Sequence, residues 1–244
     1  MNFHTPRFLL SAVLASKAFL LLSTGLYAEE KELEKPRMER LDETHYRIGE
    51  VEIDSQSREI RFPAIVNLRE GILEFLLVNE SGKVHESLLR TKTSATDINL
   101  GFKLLSYQPS KELYRIPKEP GILSSDFYEE PVNVSLSARI AIYVELEKEG
   151  KKQRIPVSDW IRHETTSKAM PPTYWVYGGS DFYDEKFIPE VTGDIAAIFI
   201  TNSALINYPG EDNLDDTVWT CMTDEIPEVQ TKVSLIIAPY VEKP

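Results

Sequence analysis

Val132-Asn133-Val134-Ser135-Leu136-Ser137-Ala138-Arg139-Ile140-Ala141-Ile142-Tyr143-Val144-Glu145-Leu146 carries the strongest pattern in the chain. Every even position is apolar, and the odd positions are polar except Ala141 and Tyr143. Successive side chains of a strand leave on opposite faces. A period of two over this length therefore predicts a long strand with one face on a core and the other in water. Lys148-Glu149-Gly150 turns it back into Gln153–Val157, with Trp160 and Ile161 packing beneath.

Strand signals continue on both sides. Upstream, Tyr46–Ile53 is short and mixed, and Glu59–Phe62 alternates until Pro63, which predicts an edge or a strand end. Ile72–Val78 is apolar on both faces apart from Glu74. The turn Asn79-Glu80-Ser81-Gly82 separates it from Val84–Leu89, so the two runs are expected to form a hairpin. One helix is well signalled: Ser94 caps it, Asp97 is the acidic half of a capping box, and Ile98, Phe102 and Leu105 fall at helical spacing before Pro109. Residues 111–131, with Pro117, Pro120, Gly121 and Pro131, read as a long surface excursion. Downstream of Pro171-Pro172, strands recur at Tyr174–Tyr177, Ile195–Thr201, Leu205–Tyr208, Val218–Met222 and Val233–Ala238. The sum is a mainly β (α+β) protein. Its antiparallel sheets are expected to form a sandwich or partly open barrel with one good helix.

The first 28 of the 244 residues read differently. Arg7 and Lys17 precede the apolar Ala18–Leu22, and Leu26-Tyr27-Ala28 offers a small residue for cleavage. That describes a secretory signal peptide, with a periplasmic or extracellular destination after cleavage near Ala28. The rival reading is an uncleaved anchor, but the apolar run after Lys17 is only about half of a membrane span. Residues 29–45 are charged and read as a flexible leader, leaving 46–241 as a single domain. Loss of Arg7 and Lys17, with no acid among residues 1–28, takes the formal charge from −12 to −14. So acidic a chain disfavours nucleic acid and anionic membranes as partners, and the mature domain is not expected to embed in a bilayer.

Phe62-Pro63-Ala64, Val66-Asn67, Gly71 to Val78 and His85-Glu86-Ser87-Leu88-Leu89 together resemble the YdjY-type domain. So do Val157 to Arg162, the run Trp175-Val176-Tyr177-Gly178-Gly179-Ser180, and Ile226-Pro227 with Thr231-Lys232-Val233. The resemblance spans roughly residues 46–240 and implies an exported domain of the kind found in planctomycete and verrucomicrobial bacteria. It implies no activity. Some relatives carry a ferredoxin-like label. An iron–sulfur cluster needs about four cysteine ligands, and Cys221 is the sole cysteine, so no cofactor is expected.

Three constellations invite chemistry. His85-Glu86-Ser87 suggests nucleophilic catalysis, but a nucleophile needs its base within hydrogen-bond reach, and strand neighbours two apart project in parallel. On a hairpin Glu86 would face the apolar side and need a partner such as Arg61, Arg139 or a backbone amide. Glu211 to Asp216 offers oxygens for calcium through Asp212, Asp215 and Asp216, without EF-hand spacing. His45, His85 and His163 lie too far apart in sequence for a zinc motif. The aromatic run from Tyr174 to Tyr183 could display Trp175 and Tyr177, with Asp181 beside them, to a glycan or a protein. The bland alternative is core packing. Cys221 is either a buried, inert thiol or a reactive one. The favoured function is a non-catalytic exported binding or surface-assembly domain of unassigned oligomeric state. The alternative is a hydrolase-like enzyme using His85, Glu86 and Ser87 with a residue such as Asp181 or His163.

Overall fold

Arg139–Lys148 does form a strand, with Ile140, Ile142 and Val144 buried, but Val132–Ser137 does not continue it. Those six residues wind into a short helix, and Val132 and Leu136 stay exposed. The alternation reads as strand only where another strand is there to accept its hydrogen bonds. Without one, local bonds such as Ala138 N–H to the Val134 carbonyl (3.1 Å) satisfy the backbone.

The computed structural model describes residues 38–242 except Pro120 and Glu149. The signal-peptide reading of residues 1–28 and the leader up to residue 37 lie outside the described residues. Eight strands close on themselves: β1 (Glu59–Val66), β2 (Phe75–Asn79), β3 (Ser87–Thr91), β4 (Arg139–Lys148), β5 (Trp175–Tyr177), β6 (Asp194–Ala197), β7 (Ile206–Asn207) and β8 (Lys232–Pro239). Around the barrel the order is β1–β8–β4–β5–β7–β6–β2–β3, and β3 pairs back onto β1 through Ile65↔Arg90 and Val66↔Leu89. The protein is thus mainly β, but a closed barrel replaces the expected sandwich or partly open barrel. β8 lies between β1 and β4, so the C-terminal segment completes the first sheet. Three further strands, Met38–Arg40, His45–Ile48 and Val51–Asp54, extend from β1. The first of them falls within the expected leader: its backbone pairs with Tyr46–Ile48 while its side chains stay exposed.

Two expectations fail for instructive reasons. The hairpin of Ile72–Val78 with Val84–Leu89 does not exist: β2 and β3 are parallel neighbours, with a single 3-10 turn at Val84–Glu86 between them. The Asn67 side-chain amide, brought in from the end of β1, donates to the Val84 and Ser87 carbonyls and holds that turn in place. Pro63, read as an edge or an end, sits inside β1. Before it, residues 59–61 pair with Val51–Asp54's strand; after it, residues 65–66 pair with β3. The missing N–H falls where one neighbour hands over to the next, and Thr91 Oγ donates to the Pro63 carbonyl (2.6 Å).

The barrel interior is one apolar cluster that includes Phe62, Leu77, Leu89, Trp175, Tyr208 and Leu235. Helix α1 (Ala95–Leu104) packs Ile98 and Phe102 into it. Ser94 Oγ accepts from Asp97 N–H (3.3 Å), as an N-cap should. The acidic partner of the cap is not Asp97 but Glu190, from α3 (Ile188–Thr192; α2 is the Val132–Ser137 helix). Glu190 accepts from Ser94 Oγ, Thr96 N–H and Thr96 Oγ at 2.9–3.0 Å.

Candidate functional site

The excursion at 111–131 is a hairpin, Arg115–Glu119 paired with Ile122–Phe127, and it pairs with no other strand among the described residues. Its root is Tyr114, which is buried. The phenol donates to the Ala204 carbonyl (2.6 Å) and accepts from Ser180 N–H (3.0 Å). A second two-stranded hairpin, Phe182–Tyr183 with Lys186–Phe187, stands opposite. Its turn residues Asp184 and Glu185 both have positive φ (49° and 61°), the conformation of a tight hairpin turn that asparagine and glycine usually occupy. Lys111 Nζ reaches Asp181 Oδ2 across the two arms (2.8 Å), and that hydrogen bond holds the Asp181 carboxyl below the usual range.

Between the arms lies a groove of about 530 Å³ lined by Leu123, Tyr128, Asp181, Phe182, Tyr183 and Ile188, among others. Phe182 also borders a second hollow of about 420 Å³ against Leu100 and Val191. Five of the fifteen large apolar residues exposed among the described ones sit on these two arms, Ile116, Ile122, Leu123, Phe182 and Tyr183, and Val191 lies just beyond the second on α3. Phe182 is 66% and Tyr183 76% exposed.

Of the residues expected to bind, only Asp181 lies at this groove. Trp175 and Tyr177 are core, a correction to their expected display. Tyr177 stacks on Phe102 with ring centroids 4.0 Å apart and donates to Asn99 Oδ1 (2.6 Å); Trp175 packs on Tyr208. Val176, on the other face of β5, is buried as well. The displayed rings of the aromatic run come later, at Phe182 and Tyr183, where the chain has left the barrel.

His85-Glu86-Ser87 does not assemble a nucleophile. His85 is exposed and contacts Glu86 (Nε2–Oε1 3.1 Å), whereas Ser87 is buried and donates to the Leu89 carbonyl (2.6 Å). Arg61 pairs with Glu145, and Arg139 lies over the Tyr174 ring, so neither is the partner foreseen for Glu86. Besides His85, the side chain beside Glu86 is that of Glu74. Burial, then the adjoining Glu86, raises the Glu74 carboxyl above its ordinary pKa; Lys83, 3.9 Å away, opposes the shift. The sequence marked Glu74 only as the lone acid in an apolar run. His163 contacts Asp212 (3.2 Å) rather than His85 or Glu86.

Asp212, Asp215 and Asp216 do not converge. Asp215 accepts from Thr217 N–H and Oγ, and no group of three or more His, Cys, Asp or Glu side chains is arranged to hold a metal among the described residues. Cys221 is buried in the strand Trp219–Cys221, and burial pushes its thiol up to about 12. No described helix is long and apolar enough to cross a membrane.

The model of the YdjY domain family matches residues 51–238. No curated protein and no solved structure matches the chain.

Proposed function

The chain belongs to the YdjY domain family, and we propose that it is an exported, non-catalytic binding or assembly domain whose binding surface is the groove between the two hairpin arms. One observation carries the reading: exposed apolar side chains gather on two arms outside the core, with Phe182 and Tyr183 turned to solvent. Apolar groups clustered at a surface mark sites of contact with something else. Export rests on Arg7, Lys17, the apolar Ala18–Leu22 and the small residue Ala28.

The test is a peptide and glycan array probed with the wild-type protein and with Phe182→Ala/Tyr183→Ala, read together with mass spectrometry of the probes. Retention that disappears in the double variant, with every probe intact, supports the reading. Cleaved probes would turn it toward the hydrolase alternative, and binding indifferent to both rings would refute it. The intact mass of protein recovered outside the cytoplasm checks export: a chain starting at Glu29 is expected, and one retaining residues 1–28 overturns the cleavage.

A further inference from the structure

β6 and β7 are parallel neighbours, yet only residues 198–205 join them. A parallel pair ordinarily needs a crossover of about a dozen residues or more. So short a return has to be held by side chains. Asn207 brackets Thr201, accepting from its N–H (2.9 Å) and donating to its carbonyl (3.1 Å). Thr201 Oγ1 and Ser203 Oγ are 2.9 Å apart, and Ser203 Oγ donates to Asp194 Oδ2. Asp194 is 3% exposed, and its Oδ1 has no hydrogen-bond partner among the described residues. A buried carboxylate left half unsatisfied is costly. The contact it does make goes to this return.

Both arms hang from the same residues. The Asn202 side-chain amide clamps Arg115 of the first arm, accepting from its N–H (2.9 Å) and donating to its carbonyl (2.8 Å). The Ala204 carbonyl accepts from Tyr114 at the root of that arm. Ser180, just before the second arm, donates from Oγ to the Asn202 and Ser203 carbonyls (both 3.3 Å). Its φ of 50° is a left-handed conformation that serine rarely adopts, and such a residue persists only where surrounding contacts over-determine it. Asn202 also lines the groove. Residues 201–204 thus meet the groove, the roots of both arms and, through Ser203, a buried carboxylate that the binding surface does not itself use.

We infer that residues 201–204 are a shared seat, fixed by the buried Asp194, that couples the two arms so that they keep or lose their places together. Asp194 and Ser203 act through the seat as positioning residues. As a control on recognition, the seat rests on the groove being the binding surface.

Hydrogen exchange of the purified protein, read by mass spectrometry, tests the coupling. Ser203→Ala removes the hydroxyl that meets Asp194. It should speed exchange about tenfold in both 115–127 and 182–187, while β4 and β8 keep the wild-type rate. Ser203→Thr keeps a hydroxyl and should restore protection. Asn202→Ala removes a side-chain clamp on the first arm alone and should loosen 115–127 only. If Ser203→Ala does not fold, Tyr114→Phe decides. It leaves Asp194 and Ser203 in place, deletes the hydroxyl shared by the Ala204 carbonyl and Ser180 N–H, and should loosen both arms. Loosening by Ser203→Ala of one arm alone, of neither, or of the barrel strands equally would overturn the inference and leave the groove reading untouched. On the peptide and glycan array, probes retained through Phe182 and Tyr183 should be held several-fold more weakly by Ser203→Ala, because loosened arms must be ordered on binding. Retention that needs both rings yet ignores Ser203→Ala would remove the seat from recognition. Retention indifferent to the rings would refute the groove, and coupled exchange would then support the seat by itself.

Discussion

Replacing Gly178 by alanine tests whether the first arm is anchored as described. Gly178 does not have a positive φ, so alanine meets no backbone penalty there. The difficulty is space. A Cβ at 178 would lie on Tyr114 Oη and Cζ, and 2.8 Å from Cε1. The ring cannot withdraw cheaply, because Tyr114 is buried and its hydroxyl is held by both Ala204 and Ser180. Each of those hydrogen bonds contributes about 1 kcal/mol. Forcing a buried side chain from its seat costs about 1 to 3 kcal/mol more. Gly178→Ala should therefore destabilise the protein by about 3 to 5 kcal/mol, read from urea unfolding midpoints at unchanged slope. In a Tyr114→Leu background the obstructing atoms are gone, and the same substitution should cost less than about 1 kcal/mol, the mark of two directly coupled sites. Limited proteolysis adds a local readout, since an unseated arm should be cut between Arg115 and Phe127 before the barrel is. A loss below about 1 kcal/mol in the wild-type background, or an equal loss in both backgrounds, would refute the argument.

Glu74→Gln should stabilise the fold at neutral pH. Because the Glu74 pKa is raised in the native state, the folded chain holds that proton more tightly than the unfolded one. Its contribution is complete below the ordinary carboxyl pKa and is lost as pH rises through the raised value. The Gln variant should thus gain over wild type in melting temperature at pH 7 and lose that gain in acid; equal curves at both pH values would contradict the burial argument. Substituting Asn-Gly for Asp184-Glu185, whose φ angles are both positive, should stabilise the protein by about 1 kcal/mol in chemical denaturation, because glycine and asparagine tolerate that conformation. Cys221 should be unreactive toward a thiol reagent in the folded protein and titrate fully in denaturant; rapid reaction under native conditions would show the thiol to be accessible. Phe182→Ala and Tyr183→Ala should each leave the melting temperature nearly unchanged, since both rings are exposed, whatever they do to binding.

The sequence revealed the barrel's material better than its closure. Ile140, Ile142 and Val144 were legible because a half-buried strand imposes its period on the residues themselves. Val132, Val134 and Leu136 follow the same period yet lie in or beside a helical turn, because the period is silent about whether a partner strand exists. Closure depends on Ile65 and Val66 meeting Arg90 and Leu89, a long-range register that no local pattern encodes. The parallel setting of β2 and β3 was hidden for the same reason: Asn79 to Gly82 looks like a hairpin turn, and the Asn67 amide that fixes the next turn comes from another strand. The aromatic run pointed to the right region and the wrong rings. Trp175 and Tyr177 belong to a barrel strand enclosed on both sides, and only beyond Gly178-Gly179 does the chain leave the barrel and expose Phe182 and Tyr183.

Closure also explains why recognition falls to the arms. A sheet closed on itself has few strand edges left to offer, and this barrel's interior is filled by residues such as Phe62, Trp175 and Leu235. A ligand must therefore be met outside the barrel. Two-stranded hairpins are marginal on their own, and each arm here is tied to the scaffold by specific bonds. Tyr114 and Asn202 hold one. Glu190 on the α1 cap holds the other, whose own base is closed by Ile188 N–H to the Asp181 carbonyl. Lys111 and Asp181 link the two. The barrel thus sets the width of the groove, while the exposed Phe182 and Tyr183 rings contribute little to the fold. Stability and binding should separate by position: losses at Tyr114 or Gly178 should impair both, and losses at Phe182 or Tyr183 only binding.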